Sequence, residues 1–134
     1  MLQLFTRPGA RVPLYATGVG KLFLSRLSAS ELANYLKRVD LKSFTRHTLT
    51  EKEKIIEELN RIRTRGFAVD NEEMEEGVRC VAALIFDHQG QPAASVSITG
   101  AAMRVTPGRV ESFGEIIKAC ALTISRELEF NPAD

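Results

Sequence analysis

Apolar residues recur at helical spacing in several stretches of the chain and give way to strand-like runs between them. Ile55, Ile56, Leu59 and Ile62 fall on one face of a segment otherwise filled with Glu, Lys and Arg. Thr50-Glu-Lys-Glu53, a capping box, precedes that segment and Gly66 follows it, so the pattern predicts a helix with a glycine C-cap. Leu32, Tyr35, Leu36 and Val39 repeat the spacing after a second capping box, Ser28-Ala-Ser-Glu31. Val110, Phe113, Ile116, Ile117, Cys120, Ala121 and Ile124 make one broad face behind Thr106-Pro107, an N-cap followed by proline at the first helical position. They predict a last helix to about Leu128. Thr17 caps a further helix running through Leu27, whose Gly18 and Gly20 let its first turn approach another backbone or a ligand closely.

The strand signals lie around these helices. Leu2 to Thr6 alternates weakly, Arg7-Pro-Gly-Ala reads as a turn, and Val12 to Tyr15 as a short extended piece. Leu41 to Leu49 is a polar connection compatible with a short strand at its start. Phe67 to Asp70 leaves the third helix as a strand, and Asn71 to Glu76 carries four glutamates with little structure. Val78 to Phe86 is a buried strand by length and apolarity; Asp87 to Gln91 turns the chain, and Ala93 to Thr99 is the partner strand. This order predicts an α+β domain, an antiparallel sheet covered by helices.

Composition narrows the reading. The chain has 134 residues, 44% of them hydrophobic, which suits one domain with one core. Eighteen basic residues against 17 acidic ones leave no basic excess of the kind a free-standing nucleic-acid binder carries. No apolar run approaches ~20 residues, and no signal peptide opens the chain. Cys80 and Cys120 are too few for a disulfide framework, and neither has a Cys or His at zinc-site spacing. Reduced thiols, a cytoplasmic chain, no membrane partner and no metal or other cofactor are the expectation.

The chemistry concentrates between Gly66 and Thr99. Asp70 is either a solvated acid at a strand end or a pocket acid that accepts a ligand hydroxyl or orders the next loop. Cys80 is by default a small core residue; a catalytic thiol needs a base, and neither His47 nor His88 can be assigned to it from the sequence. Ser95, Ser97 and Thr99 share one face of their strand. That face is either solvated or a set of short, uncharged hydrogen-bonding groups for a carboxylate. If Asp87 pairs with Gly90, Cys80 faces Ser97; if Asp87 pairs with Gln91, Cys80 turns away. A pocket with Cys80 and the serines therefore requires the first register, or a bulge that restores it. Gly18 and Val19 offer backbone N–H groups at a helix start, or simply a tight packing turn. The glutamates Glu72, Glu73, Glu75 and Glu76 read as a solvated acidic loop, and the charged face of the third helix as solvated too.

In order, Gly66, Asp70, Glu73, Cys80, Ala82, Ile85, Phe86 and Asp87 resemble the signature of the IclR family of bacterial transcription regulators. Pro13-Leu-Tyr-Ala-Thr-Gly-Val-Gly-Lys21, Ser95-Val-Ser-Ile-Thr-Gly100 and Arg104-Val-Thr-Pro107 resemble further motifs of that family. The resemblance implies a GAF-like effector-binding domain, with its first helix and strands absent or only partly present. It implies a small-molecule effector, an organic acid by the donors on offer, and a homodimer or homotetramer. DNA would be bound only through a winged helix-turn-helix domain that this chain lacks. It also implies effector contacts for Gly18, Val19, Asp70, Val78, Cys80, Ser97 and Thr99, with Val19 where relatives often have Ala and Thr99 where Ser is common. Two alternatives remain: an enzyme using Cys80 as nucleophile, and a non-sensing dimerisation module.

Overall fold

Among the described residues a three-stranded antiparallel sheet of order β1-β2-β3 carries helices on both faces. The computed structural model describes residues 7–133. The expected strand at Leu2 to Thr6 lies outside the described residues. The strands are β1 (Ala68–Asn71), β2 (Val78–Phe86) and β3 (Pro92–Ala101); the helices are α1 (Gly18–Leu24), α2 (Ala29–Arg38), α3 (Lys52–Arg65) and α4 (Pro107–Glu127). The α+β expectation holds.

Strand parity decides which core each side chain joins. Ala68, Cys80, Ala82 and Leu84 point to α1, α2 and α3, where Leu22, Leu24, Leu36, Ile55, Leu59 and Ile62 close the main core. Val69, Val81, Ala83 and Ile85 point the other way, against Ile117 and Ala121 of α4. Nearly all of β2 is buried because both its faces are covered.

Local chemistry sets the helix ends. Ser28 and Glu31 form a true capping box, each side chain bonding the other's backbone N–H. Gly66 takes the left-handed conformation at the end of α3, with φ +84°. Thr17 Oγ1 accepts from the Gly20 N–H at 3.1 Å, and Gly20 lies so close to the Leu14 backbone that no Cβ would fit.

Four local expectations are corrected. α1 stops at Leu24, not Leu27: Ser25 Oγ donates to the Leu22 carbonyl at 2.6 Å, and Arg26 and Leu27 make tight three-residue bonds before Ser28 starts α2. Leu14 to Ala16 is a single 3-10 turn rather than extended chain. Thr50 does not cap α3; the helix begins after Glu51, which has no capping side-chain bond. No strand opens the connection after Leu41; the Tyr15 hydroxyl holds it instead, donating to the Lys42 carbonyl and accepting the Lys42 N–H.

The broad apolar face of α4 divides in two. Ile117 and Ala121 are buried with Gly114 and Ser125, whereas Ile116, Cys120 and Ile124 are exposed. A sheet of this width covers only one stripe of a helix.

Candidate functional site

The hairpin register brings the candidate residues onto one face by way of a bulge. At the turn, the Asp87 N–H donates to the Gln91 carbonyl at 2.9 Å, the register that would turn Cys80 away from the serines. Phe86 pairs with Pro92 but Ile85 pairs with Ala94, so β3 spends one extra residue there and the parity reverts. Cys80 then stands opposite Thr99, and Ser97 opposite Ala82. Because Asp70 pairs with Cys80 on the other side, Asp70, Cys80 and Thr99 form a row across all three strands, a carboxyl, a thiol and a hydroxyl. Val78 continues the same face at the start of β2 and is buried.

α1 begins directly over this row. A Cβ on Gly18 would lie 3.5 Å from Cys80 Sγ, 3.6 Å from Ala82 Cβ and 3.8 Å from the Asp70 backbone nitrogen. Gly18 therefore sits on small side chains, and Ala68 and Ala82 keep the floor low beneath it. The Gly18 and Val19 N–H groups have no hydrogen-bond partner among the described residues. Val19 directs its side chain outwards and is 38% exposed. β3 lies beyond the cover of α1, so Ser97 and Thr99 are exposed and Ser95 is half-buried. The arrangement sets a buried acid and thiol in line with the exposed Ser97 and Thr99 hydroxyls, where the cover of α1 stops.

The titratable groups are tuned by burial. Asp70 is pushed up to about 6, chiefly by desolvation and further by the Glu73 charge, against the Glu73 and Met74 N–H groups and Lys21, which pull it down. Its Oδ1 accepts the Glu73 N–H at 2.8 Å, so Asp70 also holds the loop that follows β1. Burial pushes the Cys80 thiol up, and the Thr99 and Ser97 hydroxyls only partly offset this. No imidazole is among the groups that reach it, and a thiol held protonated is a poor nucleophile.

The acidic loop is not simply solvated, which corrects the sequence reading. Glu73 is 4% exposed and chelates Lys21 Nζ with both oxygens, at 2.9 and 2.8 Å. Its Oε2 also accepts the Asn71 N–H. Glu72 pairs with Arg79 at 3.3 Å, and Thr45 and Thr48 bind the carbonyls of Glu72 and Glu73. Lys21, itself 1% exposed, also reaches the Val69 carbonyl and Glu58. Glu58 corrects the reading of α3 as well: it is buried and takes Arg61 and Arg65 besides Lys21. Burial alone would raise the Glu58 carboxyl, but these cations together hold it below its usual range. Lys21 therefore ties α1, α3 and the loop after β1 together, next to the Gly18–Asp70 contact. Two signals could have found this: Lys21 lies three residues from both Gly18 and Leu24, and Glu58 falls inside the Ile55–Leu59–Ile62 stripe.

Among the described residues no group of three or more His, Cys, Asp or Glu could hold a metal ion, and no helix is long and apolar enough to cross a membrane.

Residues 1–126 match the family described as bacterial transcriptional regulator IclR, C-terminal. The HTH-type transcriptional regulator BhcR of Paracoccus denitrificans is 37% identical over 98% of this chain and 46% of its own length. The chain thus spans about half the length of the curated relatives it matches. Among solved structures, the Thermotoga maritima IclR protein superposes with a TM-score of 0.88 at 43% identity, over 97% of this chain and 53% of that one. The PobR inducer-binding domain from Acinetobacter, a double mutant in complex with 3-hydroxybenzoic acid, superposes at 0.81 with 25% identity, over 92% of this chain and 74% of that one. The chain belongs to the IclR family of bacterial transcriptional regulators and corresponds to their C-terminal region.

Proposed function

We propose that this chain is the effector-binding part of a transcription regulator and that it holds a small organic acid against the exposed hydroxyl edge of its sheet. The row Asp70–Cys80–Thr99 with Gly18 above it carries the reading. A carboxylate needs donors, and the free ones here are the Ser97 and Thr99 hydroxyls and the Gly18 and Val19 N–H groups. Val78 and Cys80 supply the apolar back wall. Asp70, held near 6, accepts a hydroxyl of the ligand while it anchors the loop. The relative whose inducer-binding domain is complexed with a hydroxybenzoic acid supports this ligand class. No chemistry is done on the ligand, in keeping with a protonated thiol that lacks a base.

Binding acts by population shift: the acid favours one arrangement of α1 and the loop after β1, and that choice changes DNA binding by a helix-turn-helix segment of the whole regulator. Self-association as a homodimer or homotetramer passes that choice between copies, and the exposed Ile116, Cys120 and Ile124 of α4 suit such a contact.

A thermal-shift screen of small monocarboxylates and hydroxy acids tests the site. A ligand at 100 times its Kd stabilises by about 2.7 kcal/mol, on the order of 8 °C for a domain of this size. Ser97→Ala/Thr99→Val removes two free donors without disturbing the core and abolishes the shift. Gly18→Ala is sterically tolerated yet fills the roof, and it too weakens the hit. A confirmed acid that stabilises wild type and both variants equally refutes the site.

A further inference from the structure

A second recess lies at the far end of β2, with its floor at Leu84, about 13 Å along the strand from Cys80. It is a groove of about 420 Å³ between α1 and α3 on one side and α4 on the other. Leu22, Ile62 and Leu122 make apolar walls, and the stacked rings of Phe86 and Phe130, 5.3 Å apart, close one end. Its volume falls within the range of small-molecule sites.

Two features ask for an occupant. First, β1 ends opposite Ala82. The Val69 carbonyl points outwards to Lys21, so Ala68 and Asp70 point into β2, and Cys80 and Ala82 answer them. Leu84 directs its N–H and carbonyl the same way, where no strand stands. The Phe86 N–H, next in that row, is taken by Ser125 Oγ at 2.9 Å. The backbone groups of Leu84, a buried residue, are thus left without a protein partner among the described residues, at the floor of the groove. Second, the rim carries two guanidinium groups with no carboxylate partner among the described residues. Arg26 stands 5.5 Å over the Phe86 ring, and Arg63 spends its bonds on neutral acceptors, the Ser25 carbonyl and Asn60. The nearby Lys118 and Glu115 neutralise each other.

An apolar trough, an open backbone edge and uncompensated positive charge at its mouth complement one kind of molecule. The geometry points to a second ligand site, for a monocarboxylate with a single-ring or short acyl body. The body lies between Leu22, Ile62 and α4, and the carboxylate meets Arg26 and Arg63. This site is separate from the Gly18–Thr99 recess and stands whether or not that recess binds an acid.

Octanoate is the probe and 1-octanol its uncharged control, titrated calorimetrically against four proteins whose folding is checked by circular dichroism. Wild type binds one octanoate. Arg26→Gln/Arg63→Gln weakens octanoate roughly tenfold or more and leaves octanol unchanged. Ala119→Phe, at an exposed position on the α4 wall, weakens both by filling the trough. Ser97→Ala/Thr99→Val changes neither. Because Arg63 also bonds Ser25, salt dependence on unaltered protein is a second measure: octanoate affinity falls with ionic strength and octanol affinity does not. The inference is overturned if wild type binds no octanoate at millimolar concentration, if binding survives Ala119→Phe or the arginine changes, or if it disappears with the Ser97/Thr99 changes.

Discussion

Replacing Lys21 by Met removes a buried cation and leaves its partners behind. The two glutamates fare differently. Glu58 keeps Arg61 at 3.0 Å and Arg65 at 3.1 Å, so it loses only its weakest partner, at 3.4 Å. Glu73 loses the single cation that both its oxygens hold and keeps one backbone N–H, from Asn71. The cost is therefore that of one uncompensated buried carboxylate, about 3–5 kcal/mol, with the shape of the side chain largely conserved by methionine. Against a total of ~5–15 kcal/mol this removes a large share of the stability. With a urea m-value of ~2 kcal/mol/M, the unfolding midpoint falls by about 2 M. Adding Glu73→Gln neutralises the orphan while keeping an acceptor for the Asn71 N–H, and returns the double variant to within ~1–2 kcal/mol of wild type. Urea melts of the three proteins at pH 7 decide it. A Lys21→Met loss below ~1 kcal/mol, or a double variant no more stable than the single one, would show that the lysine is not the counter-charge described here.

Two further outcomes follow from the buried acid and thiol. Asp70 is held near 6 against an ordinary 3.8, so the folded chain binds the proton more tightly than the unfolded chain does. This contribution to stability is fully present below pH 4 and is lost as pH rises from about 4 through 6, a total change of about 3 kcal/mol. Asp70→Asn flattens the stability profile over that window; a variant with the wild-type slope contradicts the assignment. Burial likewise protects Cys80, whereas Cys120 is exposed. Ellman's reagent at pH 8 thus leaves the Cys80 thiol unreacted in native protein and reaches it only on denaturation, whatever self-association does to Cys120. Two equally fast thiols would reopen the nucleophile reading.

Sequence legibility followed the range of the interactions involved. Gly66, the Ser28–Glu31 box and the length of β2 were readable because a turn or a strand is settled by its own residues. Thr50 misled because a cap signal competes with where packing needs the helix to start, one residue later. The α4 stripe was read as one face because periodicity reports which residues are apolar, not how wide the surface opposite is. Lys21, Glu58 and Glu73 were the largest omission. They are 37 and 52 residues apart in the chain, and each looks like a solvated charge until the other two are beside it. The hairpin shows the same limit more sharply. The turn residues alone select the register that separates Cys80 from the serines, and one extra residue in β3, needed to fit Ile85 against Ala94, reverses the outcome. In period-two structure a single bulge exchanges the faces of every residue beyond it. The candidate site therefore depends on a local irregularity near Ala93, several residues before the Ser97 and Thr99 hydroxyls it positions. Closing the bulge with Ala93 kept in the strand, so that Ile85 met Ala93, would turn Ser97 and Thr99 towards α4, and the recess would lose its donors while the hairpin remained.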